Sequence, residues 1–85
     1  MVSSVKISYD RALTVNVSSA DQSMYVDGGM PHARAFLVST AGNLVIDTPG
    51  GDVEVTVAVV VGLNPIGATK VYKTNTTAIG VTALY

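Results

Sequence analysis

His32 is the one histidine of the chain, and it follows Met30-Pro31 in a stretch without regular periodicity. A general base needs a positioned substrate and an orienting partner, and a nucleophile needs an adjacent base. No second histidine and no cysteine is present to complete such a pair. The serines lack the Gly-x-Ser-x-Gly setting of a nucleophile elbow. His32 therefore reads as a surface or interface residue. The carboxylates come closer to a site. Asp52 and Glu54, at i and i+2, would share one face of a strand, with Asp47 near in sequence. That spacing could serve a calcium ion or a carboxylate pair, but solvated charge flanking a turn explains the same residues with fewer demands. Asp27-Gly28-Gly29 lacks the Lys-Ser and the following helix of a phosphate loop and reads as a turn. Arg34, Lys70 and Lys73 are isolated cations suited to solvation or rim pairing, with a carbohydrate or anion contact second. No catalytic, cofactor-binding or metal-binding residue is assigned, and neither enzyme activity nor a cofactor is expected.

Composition turns attention from chemistry to assembly. The chain has 85 residues, room for one domain. A domain of this size buries only about 60–65% of the surface its unfolded chain would expose, so its core is thin. Small domains usually add disulfides, metals or oligomerisation. Cysteine is absent and histidine single, which excludes disulfides and Cys/His zinc sites. Charged residues make up 13% and hydrophobic ones 48%. The charged share is far below the ~25% of an average domain, so part of the surface is expected to be covered by protein. The net charge of -1 leaves no basic footprint for nucleic acid. The longest purely apolar run, Val57-Ala58-Val59-Val60-Val61, is too short to span a bilayer as a helix. No signal-peptide h-region precedes residue 6. The expected partners are copies of the chain itself and neighbouring proteins, not nucleic acid or membrane.

The elements that would hold these residues are strands. Fifteen valines, nine threonines and four isoleucines favour a pleated surface over a helix. Val53, Val55, Val57, Val59 and Val61 occupy alternate positions and would point to one face, which predicts a central core strand over 53–61. Further strands are predicted at 5–9 and 13–17, joined by a turn at Asp10-Arg11. Residues 34–39 and 43–47 are predicted to pair through Thr40-Ala41-Gly42, and 68–74 with 79–84 around Asn75-Thr76-Thr77. Thr48-Pro49-Gly50-Gly51-Asp52 is a strong turn signal. Ser19-Ala20-Asp21-Gln22 resembles a capping box but leads to no more than a turn or two. Residues 18–33 read as an ordered loop or arm. The ending Ala83-Leu84-Tyr85 is apolar and strand-like, which implies that Tyr85 is held in a sheet or an interface. The expected fold is all-β, a single antiparallel β-sandwich or compact barrel over 1–85, with 1–31 as an arm or docking strands and 33–85 as the core.

Thr74-Asn75-Thr76-Thr77-Ala78-Ile79-Gly80-Val81-Thr82-Ala83-Leu84-Tyr85 resembles the C-terminal signature of the small spike base proteins of gene transfer agents and tailed bacteriophages. Those proteins carry a Thr-Gly-Thr-Thr-Ala-like stretch, an aliphatic residue, and a closing Ala-Leu-Tyr or Ala-Leu-Trp. Ala33-Arg34-Ala35-Phe36-Leu37-Val38-Ser39-Thr40-Ala41-Gly42-Asn43-Leu44-Val45-Ile46 is similar to their Thr-Arg-Ala-Leu-Tyr-Val-Gly-Thr-Ala-Gly-Asp segment. Gly62-Leu63-Asn64-Pro65-Ile66 stands where the family has a Gly-x-Leu-Pro-Val-like element. The similarity covers residues 33–85. Asn75 stands in place of the family's glycine, Asn64 in place of an aliphatic residue, and Gly67 in place of a basic one. The resemblance implies a structural protein of the virion that sits on the head surface as the base for a spike or fibre, with other virion proteins such as the major capsid protein or a spike or fibre protein as partners. A capsid cement or tail and baseplate component is the nearest alternative. A carbohydrate-binding attachment module is the alternative of another kind. Its stacking platforms would have to come from Tyr9, Tyr25, Phe36, Tyr72 and Tyr85, because the chain has no tryptophan.

Overall fold

The computed structural model describes residues 9–26 and 32–85. It contains β1 (Ala12–Thr14), β2 (Gln22–Ser23), β3 (Ala35–Thr40), β4 (Gly42–Asp47), β5 (Val55–Val59), β6 (Gly62–Asn64), β7 (Lys70–Val71) and β8 (Ile79–Leu84). They form two antiparallel four-stranded sheets. Sheet A has the order β1-β8-β3-β6 and sheet B the order β2-β7-β4-β5. The all-β expectation therefore holds, in its sandwich form. Residues 5–8 and 27–31, including Asp27-Gly28-Gly29 and most of the strand predicted at 5–9, lie outside the described residues.

Alternation puts one side of each strand between the sheets. Sheet A contributes Phe36 and Val38 from β3 and Val81 and Ala83 from β8. Sheet B contributes Leu44 and Ile46 from β4, Val59 from β5 and Val71 from β7. Phe36, Met24, Leu44, Ile46 and Val71 are the largest fully buried side chains. Each contributes about 1.5–3 kcal/mol of transfer free energy. Residues 9–26 are built into this sandwich. β1 pairs with β8, β2 pairs with β7, and Met24 is wholly buried. Gln22 ties that flank together, its Oε1 accepting from the Asn16 N–H (2.7 Å) and its Nε2 donating to the Thr14 carbonyl (3.4 Å). The 19–22 stretch forms bends and the start of β2, not a helical turn.

Two predicted hairpins are corrected. β3 and β4 lie in different sheets, as do β7 and β8. Only Ala41 separates β3 from β4, too little for the two-residue turn of a tight hairpin. The chain instead turns a corner and faces the apolar sides of β3 and β4 across the core. Gly42 makes the corner possible. A Cβ there would lie 2.7 Å from the Ala78 nitrogen and 2.9 Å from the Thr77 carbonyl carbon. Those are main-chain atoms fixed by the Thr77 N–H donating to the Asn43 carbonyl (2.8 Å) and the Asn43 N–H donating to Thr77 Oγ1 (2.9 Å). Gly42→Ala is expected to cost about 1–3 kcal/mol, as overpacking does. A denaturant melt in which Gly42→Ala matches the parent protein would refute this account of the corner.

The turn predicted at 48–52 is present, and it joins β4 to β5 as a hairpin. The Thr48 N–H donates to the Asp52 carbonyl (2.9 Å), the Thr48 hydroxyl to Asp52 Oδ2 (2.8 Å), and Gly51 takes φ +102°. Asn75 adopts φ +68°, a conformation that asparagine tolerates better than most residues.

The valine strand is also corrected. It is not central: β5 is the terminal strand of sheet B and spans Val55–Val59, not 53–61. Glu54, at φ +50°, ends the regular backbone on one side. Asn64 ends it on the other, bonding both the Val60 N–H and carbonyl (3.0 and 2.9 Å) and the Gly62 carbonyl (3.1 Å). Val53 and Val61, expected on the core face, are 68% and 65% exposed.

Candidate functional site

The residues capable of chemistry are placed apart or used in structure. His32 is half-buried, its ring Nδ1 2.9 Å from the Ala33 carbonyl, to which Nδ1–H donates. Asp52 and Glu54 do not share a strand face, because both precede β5 in the turn region. Asp52 caps Thr48. Arg34 lies over the Tyr9 ring, 5.4 Å from its centroid. Among the described residues no group of three His, Asp or Glu side chains converges.

Sheet B carries a polar network on its outer side. Val71 points into the core, so Lys70 and Tyr72 point outward. The Tyr72 hydroxyl donates to Asp47 Oδ1 (2.8 Å), which also accepts the Glu54 N–H (3.0 Å). Lys70 Nζ sits 4.6 Å from the Tyr72 ring centroid and 3.7 Å from Asp21 Oδ2. The Lys73 N–H donates to Asp21 Oδ1 (2.7 Å). The Glu54 N–H first, then the Tyr72 hydroxyl, hold the Asp47 carboxyl below its ordinary range. The bond to Asp47 first, then burial and nearby negative charge, push the Tyr72 hydroxyl up to about 12.

A raised folded-state pKa means that the neutral phenol stabilises the fold below its ordinary pKa near ~10. That contribution is lost as pH rises through about 12. Tyr72→Phe is expected to flatten part of the alkaline fall in melting temperature over that window. Tyr85, raised by burial, keeps the rest. Equal alkaline slopes for parent and Tyr72→Phe would contradict the Asp47–Tyr72 bond.

Sheet A presents the opposite surface. None of its four strands carries a charged residue. Its register aligns Thr14, Thr82, Leu37 and Leu63 in one row across the outer face. Leu37 and Leu63 are 43% and 47% exposed. The next row, Ala12–Leu84–Ala35, is buried at Leu84 and Ala35. Val60 and Val61, in the link between β5 and β6, are exposed as well. β5 and β6 are the terminal strands of their sheets and adjoin in sequence, so they share one flank. The scarcity of charge is legible in the sequence, but its absence from one sheet is not, because local patterns pair the strands differently and place the valines in the core.

Of the aromatics weighed as carbohydrate platforms, Phe36 and Tyr85 are buried and Tyr9 and Tyr72 half-buried with cation and hydrogen-bond partners. Tyr25 alone among the described aromatics is strongly exposed. No family model, curated protein or solved structure matches the chain.

Proposed function

We propose that this chain is a structural component of a tailed-phage or gene-transfer-agent-like particle, a spike-base or decoration protein that works by assembly and not by catalysis. The observation that carries the assembly part is the uncharged sheet A, with Leu37 and Leu63 side by side on its outer face. Exposed apolar residues scattered singly need no explanation, but a contiguous patch marks a contact surface. Asp47 and Lys70 lie on strands of sheet B, while the strands of sheet A carry no charge and leave its outer face suited to a protein contact. The particle part rests on the resemblance of residues 33–85 to spike base proteins.

Partners on this reading are further copies of the chain and a neighbour such as the major capsid protein or a spike or fibre protein. A single exposed tyrosine is a poor stacking platform, which disfavours the carbohydrate-binding alternative. The test has two arms: mass by light scattering of the purified protein, and mass spectrometry with cryo-electron microscopy of purified particles from the source culture. The expected results are masses above 8.7 kDa and density for the chain on the head surface. A solitary monomer that is absent from particles overturns the proposal. Density at the tail would move the location while keeping the assembly role.

A further inference from the structure

The β5 edge specifies its own partner, and the argument rests on the assembly reading above. In an antiparallel ladder successive residues turn their main-chain groups to opposite sides. On β4, Asn43 and Val45 direct theirs away from β5. The Asn43 N–H donates to Thr77 Oγ1, and its carbonyl accepts the Thr77 N–H. The Val45 N–H donates to Thr76 Oγ1, and its carbonyl accepts the Tyr72 N–H. Gly42, Leu44 and Ile46 are thus left to bond Val59, Val57 and Val55, their register partners. It follows that the N–H and C=O groups of Thr56 and Ala58 face an edge that no described strand occupies.

This edge has none of the usual protections. Lysine, proline and bulges commonly blunt terminal strands, and Val-Thr-Val-Ala-Val carries none of them. We propose that β5 pairs antiparallel with β5 of a second copy, with Val57 opposite the partner subunit's Val57. In that register Thr56 meets the partner's Ala58, and Ala58 meets the partner's Thr56. These are the residues whose main-chain groups point outward, so each pair exchanges both of its N–H···O=C bonds. The valines alone are placed symmetrically about Val57, which sets Val55 opposite the partner's Val59 on the core side. No charge falls opposite a like charge. Val53 and Val61, both more than half exposed, lie at the two ends of the junction, where each copy brings one against the other. The product is a closed two-fold dimer with one sheet continuous across it.

Thr56 and Ala58 both have exposed side chains, so they can be changed without touching the core. The double variant Thr56→Lys with Ala58→Lys sets lysine opposite lysine twice. It is expected to weaken self-association on the order of a hundredfold. Thr56→Lys with Ala58→Glu sets lysine opposite glutamate twice and is expected to restore it. Thr56→Pro removes an outward N–H that no internal bond uses, and it is expected to give a folded monomer. Sedimentation velocity over a concentration series reads the association, and circular dichroism reads the fold. Folded Lys/Lys protein that associates like the parent, or folded Lys/Glu protein that does not recover, overturns the β5 pairing and leaves the assembly reading standing. A parent protein that is monomeric alone yet present in particles does the same, because another chain then occupies the edge. A parent that is monomeric and absent from particles overturns both.

Discussion

Replacing Phe36 with alanine is expected to remove a large share of the protein's stability in water at room temperature. Phe36 is fully buried and faces the core between the sheets. Truncating such a ring costs roughly 3–5 kcal/mol, made up of lost transfer energy and a residual cavity. At about 0.05–0.15 kcal/mol per residue, a domain of this size holds about 4–13 kcal/mol in total. With no disulfide to support it, the lower part of that range is expected. The neighbouring residue provides the control. Leu37 points to the outer face and is nearly half exposed, so Leu37→Ala should cost less than about 1 kcal/mol in a dilute monomer. Because the side-chain period along a strand is two, a one-residue slip would exchange these results. Urea melts of both variants decide it: equal losses, or a larger loss at Leu37, would show the register of β3 to be wrong.

The second large effect is expected at Tyr85. Its ring is 2% exposed, its N–H donates to the Arg11 carbonyl (2.9 Å), and its carbonyl accepts the Asp10 N–H (2.8 Å). Tyr85→Ala removes an aromatic side chain from the same core as Phe36 and should cost about 3–5 kcal/mol. Tyr85→Phe keeps the ring and loses only the hydroxyl, whose partner is the Met24 sulfur at 3.8 Å. Sulfur is a weak acceptor, so this variant should stay within about 1 kcal/mol of the parent. A large loss in Tyr85→Phe would mean that the hydroxyl holds Met24 in place and that the ring matters less than its burial indicates.

The fold class was legible because it depends on local signals. Valine and threonine content and alternation predict strands, and the turn at Thr48–Asp52 is a local signal too, although its role in joining β4 to β5 is not. Tyr85 was legible for a similar reason, since an apolar strand end needs cover. The sheet assignments were not legible. Thr40-Ala41-Gly42 reads as a hairpin turn, and only the close approach of Gly42 to the Thr77–Ala78 backbone makes it a corner between sheets. That approach joins residues more than thirty positions apart, which no local pattern reports. The valine run failed for a related reason: alternation tells that one side of a strand is apolar, but not whether a neighbour lies on both edges. Once β5 is known to be terminal, the same valines mark a contact surface, and the missing charge becomes a property of one sheet.

Nearly every connection in this chain passes from one sheet to the other, the β4–β5 hairpin being the exception among the described strands. The order in which the molecule can form is constrained by that. Contacts between distant parts of a chain close slowly, because loop entropy is lost before any contact compensates for it. The hairpin can form early by itself, and it carries the unprotected Val-Thr-Val-Ala-Val edge while the opposite sheet is still unmade. During synthesis that edge is open to other nascent copies while the core behind it is still unmade. Yield in a foreign host should therefore fall steeply with expression rate and temperature, with the losses appearing as β-rich inclusion bodies.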